Sequence, residues 1–421
     1  MTDLETRAAP SRAGALRRAA PALAGYAAVR ALGLLALFLW SAARDKSAYT
    51  LLTARWDALW YARVAELGYG YEVRLPNGDV HSNLAFFPLL PWLERLVAAV
   101  SPLSHADGGF LVGLVASLAA AWGIFAVADH VYGSRAGVCA VLLWAVLPVG
   151  IVQSMAYSES LFTALAAWSL YAVLTGRWVT AGALALLAGL TRPVGLAVVA
   201  AVWTAAVVSF VREGRAAGPD SPGAPVDRTT GPEAPGAPVD RPAGPEATGT
   251  AADRTTRARR VLGMALAPLG AAGYVLWVGH RTGKGPLGYL EVQAGWRNGF
   301  DGGYAFGRFV AEKLMSFPAA LAGLGLILGV ASVVWLYVTG VRRRQPLPLL
   351  VYTGIVTALA LGASSYFGSK PRLLLPAFPL LLPLAVALAE ARPRRSAAVL
   401  GSVAVASAVY GAFWLNGSGP P

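Results

Sequence analysis

The chain has 421 residues, of which 56% are hydrophobic and only 14% are charged, and its mean hydropathy is +0.55. Soluble proteins carry about a quarter charged residues, so too few polar side chains are present to cover two or three soluble domains. The net charge of +13 comes from short basic runs beside apolar segments, a pattern typical of the cytoplasmic loops of membrane proteins rather than of a nucleic-acid-binding surface. A single cysteine, Cys139, excludes an intrachain disulfide and a cysteine-based metal site. Composition therefore predicts an all-α polytopic membrane protein without a nucleic-acid partner.

Apolar segments of about 20 residues, long enough to cross a bilayer core of about 30 Å, recur along the chain. The polar, arginine-containing tail 1–21 has no cleavage site after it, so the first apolar segment is expected to be an uncleaved span. The sequence predicts about eleven transmembrane helices, at 22–43, 109–131, 136–156, 159–175, two short spans within 178–211 that are broken at Thr191-Arg192-Pro193, 261–279, 314–340, 347–363, 372–390 and 396–414. No counterpart of the broken pair is evident in the second half.

The apolar piece 84–103 lies within the long first loop, 44–108, and decides the topology. It contains two prolines and the charged residues Glu94 and Arg95, which favours an interfacial helix over a span. If it does not cross, the basic clusters at both ends of the chain and in its middle all lie on the cytoplasmic side. The N-terminus is then inside, the C-terminus is outside, and the loops 44–108, 280–313 and 364–372 share the outer face.

The segment 212–260 is rich in proline and glycine and contains a 13-residue repeat: the heptapeptide PGAPVDR begins at Pro222 and again at Pro235. It lacks aromatic residues and has almost no large aliphatic ones, so it cannot bury enough surface to offset its ordering entropy. We therefore expect a disordered cytoplasmic linker between an N-terminal transmembrane core, 22–211, and C-terminal transmembrane helices, 261–421.

Two carboxylates at the outer face are candidates for chemistry. Asp57 begins a helical pattern of aromatic residues in the first loop and is either an N-cap or a general base at the membrane surface. Glu159 enters the next span and is either a first-turn acid favoured by the helix dipole or one member of an ion pair. Arg192, at the break between two short spans, either snorkels to the interface or pairs with such a carboxylate.

Two cations, Lys370 and Arg372, lie at the outer mouth of a span, the side that the positive-inside rule disfavours. They are either ordinary flanking anchors or a binding site for a lipid phosphate, which the fork of a guanidinium fits well. The four histidines show no zinc-binding spacing, and no glycine-rich phosphate loop is present. An ATP-driven machine is therefore not supported.

Several segments together resemble the PIG-V family (GPI mannosyltransferase 2), which adds the second mannose of GPI anchors and has bacterial relatives. They are Arg55-Trp56-Asp57, Ala65-Glu66-Leu67-Gly68-Tyr69, Asn83-Leu84-Ala85-Phe86-Phe87-Pro88-Leu89-Leu90-Pro91, Tyr157-Ser158-Glu159-Ser160-Leu161-Phe162, Thr191-Arg192-Pro193-Val194-Gly195 and Pro371-Arg372-Leu373-Leu374. The resemblance covers most of the chain outside the linker, and the pairing of AFFPxxP with the upstream WD is its most specific part. The polar insertion 73–82 has no match in the family pattern.

The resemblance implies a GT-C fold and an inverting transfer of a sugar, usually mannose, from a polyprenyl-phosphate donor to a lipid or glycan acceptor. It implies that Asp57 is the catalytic base, and that Arg372 and Lys370 bind the donor phosphate. The pocket residues that it implies are Arg55, Trp56, Glu66, Tyr69, Phe86, Phe87, Tyr157, Glu159 and Arg192. The enzyme would sit in the plasma membrane with its active site on the extracytoplasmic face. The composition, rich in alanine, glycine and arginine, suggests a bacterium without GPI anchors, so the acceptor need not be a GPI lipid.

No cofactor is firmly implied, because the first motif has one acid where many GT-C enzymes have a pair; a divalent metal stays open. Two other function classes are considered. A transporter or flippase of lipid-linked glycans is the main alternative, and it would be favoured by broken helices in matching halves. A non-catalytic scaffold that binds partners through the linker is the other alternative.

Overall fold

The computed structural model describes residues 12–216 and 246–417, and its secondary structure is overwhelmingly helical. The helices of the first part are α1 (Arg12–Ala42), α2 (Ala48–Thr53), α3 (Asp57–Leu67), α4 (Leu89–Val100), α5 (His105–Tyr132), α6 (Ser134–Ala145), α7 (Ser158–Leu174), α8 (Trp178–Gly189) and α9 (Leu196–Ala216). Those of the second part are α10 (Glu246–Leu266), α11 (Leu269–Thr282), α12 (Gly288–Gly295), α13 (Tyr304–Leu314), α14 (Ala319–Arg342), α15 (Leu347–Gly362), α16 (Lys370–Leu373), α17 (Leu382–Glu390) and α18 (Pro393–Leu415). Two short strands, β1 (Glu72–Arg74) and β2 (Val80–Ser82), form an antiparallel hairpin.

Six helical segments in the described part of the chain are long and apolar enough to cross a membrane. They are Gly14–Ala42, His105–Tyr132, Pro193–Glu213, Arg254–Thr282, Ala319–Arg342 and Pro393–Leu415. A seventh is added if the bent pair Phe367–Leu373 and Phe378–Glu390 counts as one span. The helices α6, α7, α8 and α15 are apolar but shorter, at 10–17 residues. The chain is thus a multi-pass membrane protein, while the expected count of eleven spans is not confirmed.

The breaks in the helices agree only in part with the sequence. The expected break at residues 191–193 is confirmed, because α8 ends at Gly189 and α9 begins at Leu196. The expected continuous span 136–156 is wrong: α6 has 12 residues, about 18 Å, and a 3₁₀ turn (Gly150–Ser154) follows it.

The second half also contains a broken helix, contrary to expectation. The segments Phe367–Leu373 and Phe378–Glu390 meet at 75°. The break, residues 374–377, contains Pro376, and Pro379 is the second residue of the segment that follows. Proline lacks a backbone N–H and so interrupts the helical hydrogen bonds. The carbonyls that the break frees are satisfied by side chains: Trp144 Nε1 donates to the carbonyl of Leu375 at 3.0 Å, and the Tyr352 hydroxyl donates to that of Pro376 at 2.9 Å.

The boundaries around the expected linker also change. Helix α9 continues to Ala216 and α10 already begins at Glu246, so both ends of the segment 212–260 are helical rather than disordered. Arg260, the last residue of the expected linker, pairs with Glu213 through both terminal nitrogens of its guanidinium. The remainder of the segment, 217–245, with most of the 13-residue repeat, lies outside the described residues, as does the first half of the tail 1–21. The second half of that tail, from Arg12, belongs to α1.

The first loop folds against one end of the helix bundle and positions the site. Helix α4 has 12 residues and is not among the candidate spans, as expected for an interfacial helix. The unmatched insertion 73–82 is the β-hairpin, in which Val73 faces His81. The hairpin docks on the region after α12, where the imidazole of His81 stacks on the indole of Trp296 with ring centres 4.0 Å apart.

Candidate active site

Asp57 is the first residue of α3, and an unusual backbone conformation places it there. The preceding residue, Trp56, has φ 51° and ψ −127°, a region that non-glycine residues rarely occupy. Trp56 is also the N-cap position and makes no side-chain capping bond. The carboxylate of Asp57 turns away from the role of a cap and accepts a hydrogen bond from Nη1 of Arg372 at 2.7 Å.

The carboxylate of Asp57 belongs to a cluster of four charged groups. Arg372, which contacts Asp57 through Nη1, also lies 3.3 Å from Oε1 of Glu159 through Nε. The same oxygen of Glu159 lies 2.5 Å from Nη1 of Arg192. Arg192 therefore pairs with a carboxylate, the second of its two expected roles. Three separate segments of the sequence, plus the first loop, are brought to one point.

The cluster has no net charge, and its four side chains differ in their exposure to solvent. The side chains of Glu159, Arg372 and Arg192 are exposed by only 2%, 9% and 15%, whereas that of Asp57 is exposed by 27%. Buried charges are costly unless they are paired, and here two carboxylates face two guanidiniums. Glu159 lies in the first turn of α7, where the helix dipole favours a negative charge. Asp57 is the one carboxylate of the cluster that a substrate can approach.

Hydroxyl and aromatic side chains surround the cluster. The hydroxyls of Tyr61 and Ser158 lie 2.8 Å apart, and Nη1 of Arg192 donates to the same serine at 3.2 Å. The ring of Tyr157 lies 5.0 Å below the guanidinium carbon of Arg372. Sequence reasoning missed Tyr61 and Ser158. Tyr61 lies four residues after Asp57 on the same helix face, and that spacing is a signal that could have identified it.

Phe86 and Phe87, two other pocket residues implied by the resemblance, are buried among aromatic side chains. Phe86 is buried against Trp60 and Tyr61, with ring centres 5.7 and 5.1 Å apart, and so supports α3 from behind. Phe87 is buried on the other side, against Tyr274 and Tyr289.

Two further pocket residues implied by the resemblance are Tyr69 and Glu66. The hydroxyl of Tyr69 donates to the carbonyl of Phe86 at 2.8 Å. Glu66 is exposed, and it stands nine residues, about 13 Å, along α3 from Asp57. The structure does not bring Glu66 to the cluster.

Lys370 has a contact that the sequence does not predict. Its Nζ donates to the carbonyls of Ala360, Leu361 and Ala363 at 3.0, 3.1 and 2.7 Å, at the C-terminal end of α15. An ammonium has three N–H donors, and all three are used there. Lys370 therefore holds the end of α15 against the segment that carries Arg372 and has no donor left for a phosphate oxygen in this arrangement.

An apolar cavity of about 640 Å³ lies next to Lys370. It is lined by residues of α13, α14 and α15 and of the loop before α13, and Phe306 in its wall lies 4.9 Å from Nζ of Lys370. Only 6% of the most apolar stretch of α14 is buried, so the cavity lies at the edge of the bundle.

Among the described residues, no group of three or more histidine, cysteine, aspartate or glutamate side chains could hold a metal ion. The two carboxylates of the charged cluster, Asp57 and Glu159, are each paired with arginine.

Comparison with solved structures shows proteins of similar fold. The crystal structure of ArnT from Cupriavidus metallidurans bound to undecaprenyl phosphate matches with a TM-score of 0.50 and 15% identity, over 90% of this chain and 63% of ArnT. The apo state of the same protein matches with a TM-score of 0.49 and 15% identity, over 88% of this chain and 60% of ArnT. A third match is the archaeal oligosaccharyltransferase AglB from Archaeoglobus fulgidus, in complex with an inhibitory peptide and a dolichol-phosphate. Its TM-score is 0.45 and its identity 12%, over 94% of this chain and 56% of AglB.

The chain thus spans less than two thirds of the length of these proteins. No family model and no curated protein match its sequence, so the resemblance to PIG-V stays a hypothesis. At 15% identity the likeness to ArnT concerns the fold, and the chain has the fold of this GT-C membrane glycosyltransferase.

Proposed function

We propose that the protein is a glycosyltransferase that moves a sugar, mannose by its resemblance to PIG-V, from a polyprenyl-phosphate donor to a lipid or glycan acceptor. The observation that carries the proposal is Asp57, an accessible carboxylate held by Arg372 within a buried, neutral charge cluster. The likeness to ArnT, whose crystal structure contains undecaprenyl phosphate, supports a lipid-linked donor. The apolar cavity beside Lys370 supports the same donor class, because it offers a place for a prenyl chain.

In the proposed reaction, Asp57 removes the proton from an acceptor hydroxyl. The acceptor oxygen attacks the anomeric carbon, and the bond from that carbon to the phosphate oxygen breaks on the opposite face, which inverts the configuration. The phosphate leaves with the bonding electron pair, and Arg372 stabilises its charge. Before substrate binds, the guanidinium of Arg372 is hydrogen-bonded to Asp57. When the guanidinium binds the donor phosphate instead, the carboxylate of Asp57 becomes free to accept a proton.

Glu159 and Arg192 have no chemical step in this scheme. Glu159 contacts both arginines and therefore fixes where Arg372 lies relative to the base. Lys370 fixes the backbone two residues before Arg372 through α15. Both are positioning residues.

The proposed setting is the plasma membrane, with the site on the extracytoplasmic face. Eleven spans would result if the four shorter apolar helices and the bent pair each cross. The basic residues support this orientation, because Arg18 pairs with Asp129 near the end of α5, while the site lies toward the other end of that helix, where Gly109 packs against Ala156.

A transporter of lipid-linked glycans is the second candidate. The observation in its favour is that both halves contain a broken helix, at residues 190–195 and at 374–377. The charged cluster favours the enzyme, because it places an accessible carboxylate at the end of the bundle rather than a continuous path through it.

The deciding experiment uses purified protein in liposomes with radiolabelled polyprenyl-phosphate mannose and a total lipid extract. Transfer of label to a new product by the wild type and its loss in Asp57→Asn is the expected result. Asp45→Asn, the same substitution at an exposed position of the first loop, is the matched control and should retain transfer. Turnover of Asp57→Asn close to that of wild type would remove Asp57 as the base. Bound donor without transfer, followed by translocation across the bilayer, would favour the transporter.

A further inference from the structure

The charged cluster alone does not account for binding of a donor phosphate. Its two carboxylates, Asp57 and Glu159, cancel the charges of Arg192 and Arg372. A phosphodiester brings a further negative charge, and a desolvated anion needs a compensating cation or several strong donors. A cation or several strong hydrogen-bond donors beyond the cluster are therefore required.

Lys370 is poorly placed for this role. Its three N–H donors are bound to carbonyl oxygens of α15 and the residue after it. Asp301, in the loop before α13, is also close enough to interact with its charge. Binding a phosphate through Lys370 would leave three carbonyls without a donor.

Arg55 meets the requirement. It is half-buried and stands two residues before Asp57, so its Cα lies within about 7 Å of the Cα of that residue. Its guanidinium carbon lies 4.3 Å from the ring centre of Trp56. Among the described residues no carboxylate lies in salt-bridge contact with it, which distinguishes it from the two arginines of the cluster.

The stacking on Trp56 suits anion binding. A guanidinium that lies on an aromatic face keeps the N–H donors along its edge available, and these match two oxygens of a phosphate. The positive φ of Trp56 makes a sharp change of backbone direction between Arg55 and Asp57. The guanidinium of Arg55 lies on the indole of the residue that immediately precedes Asp57.

We propose that Arg55 binds the phosphate of the lipid-linked donor. This inference rests on the proposed function and adds a recognition residue to it. The ligand chemistry is a phosphate ester, which a lipid head group and free phosphate share, and the experiment separates these two sources.

The test measures binding of undecaprenyl phosphate, a ligand without a sugar, to the purified full-length protein in detergent. Arg55→Gln is expected to raise the Kd about tenfold to a hundredfold, the effect of losing charge-assisted hydrogen bonds. Arg63→Gln is the matched control, because Arg63 also stacks on an aromatic ring of the first loop, that of Tyr71, at 4.8 Å. Its Kd should equal that of wild type. Arg55→Lys should give an intermediate Kd, because it keeps the charge and loses the fork.

The outcomes separate the two proposals. If wild type binds undecaprenyl phosphate and a folded Arg55→Gln binds it equally well, the role of Arg55 is refuted and the proposed function stands. If wild type does not bind it, the proposed donor is wrong. Competition by inorganic phosphate at equal concentration would refute a lipid head group as the ligand. Should Arg55→Gln not fold, the Kd of Arg55→Lys decides, and an unchanged value refutes the proposal.

Discussion

Nη1 of Arg372 lies 2.7 Å from Oδ2 of Asp57, although 315 positions separate the two residues in the chain. The contact joins the first loop to the bent helix pair of the second half. The same guanidinium also contacts Glu159 of α7, which in turn pairs with Arg192, so four parts of the chain must be in place before the cluster exists. The pair formed by Asp57 and Arg372 thus couples the geometry of the site to the packing of the whole bundle.

The two acids of the cluster should respond differently to neutralisation. Glu159→Gln leaves two guanidiniums that are at most 15% exposed facing only one carboxylate, and breaking such a buried pair costs about 3–5 kcal/mol. Asp57→Asn leaves the same charge balance, but the side chain of Asp57 is 27% exposed, so water can replace the lost contact and the free energy of unfolding should change by about 1 kcal/mol or less. Thermal unfolding in detergent measures both.

The matched double variant Glu159→Gln/Arg192→Gln removes the pair together and should recover part of the loss. A melting temperature of Glu159→Gln equal to that of wild type would show that the buried acid does not hold the site together.

Trp56 permits a test of backbone strain next to the proposed base. Its φ of 51° and ψ of −127° suit glycine, and such a conformation costs a larger residue about 1–3 kcal/mol. Trp56→Gly and Trp56→Ala both delete the indole, so the comparison between them isolates the backbone. We expect the glycine variant to be the more stable of the two by about 1 kcal/mol, the reverse of the usual order for these residues.

Thermal unfolding of the two variants under the same conditions shows which of them is more stable. Greater stability of Trp56→Ala would mean that this conformation is not the one the folded protein adopts.

The cavity beside Lys370 gives a prediction about the length of the donor chain. Gly307 lines the cavity, and a Cβ there would meet no atom within 4 Å, so Gly307→Leu should partly fill it. We expect the KM for a long-chain polyprenyl-phosphate donor to rise several-fold, while the KM for a short-chain analogue stays near that of wild type. Gly325→Leu is the matched control, since Gly325 lies on the exposed face of α14 with equally open space. Equal KM values of Gly307→Leu and wild type for the long-chain donor would place the chain elsewhere.

The sequence predicts those parts of the protein that depend on local pattern. Hydropathy identifies the long spans, and the proline in Thr191-Arg192-Pro193 marks a break that the structure contains. The break at 374–377 is not predicted, because Pro376 lies within an otherwise apolar segment in which hydropathy alone indicates a continuous span. The helical start of α10 is not predicted, because composition cannot reveal that Arg260 is buried and paired with Glu213.

For the site, the sequence supplies candidates and the fold decides among them. Asp57, Arg192 and Arg372 are candidates from the sequence, each with a structural alternative, and in the structure they meet at one charged cluster. Glu66 and Lys370 belong to equally suggestive motifs, yet one is exposed and the other is occupied by carbonyls. Whether a charge faces a partner, a carbonyl or solvent depends on long-range packing, which a motif does not encode.

Glu94 should make the stability of the protein depend on pH. Its side chain is fully buried between α4 and α5, and both carboxyl oxygens lack a hydrogen-bond partner among the described residues. Burial raises the pKa of Glu94 well above its usual value. Between the ordinary and the raised pKa, the folded state keeps a proton that the unfolded state has lost, so stability falls as pH rises through this window.

Glu94→Gln keeps the shape and cannot ionise, so it should remove this loss. We expect the variant to be more stable than wild type at pH 8, with a difference that shrinks as pH falls toward 4.5. Glu66→Gln, at an exposed position of α3, is the control and should follow the wild-type curve. The measurement is thermal unfolding in detergent at pH values from 4.5 to 8. A difference between Glu94→Gln and wild type that stays constant across this range would show that Glu94 does not change its protonation when the protein unfolds.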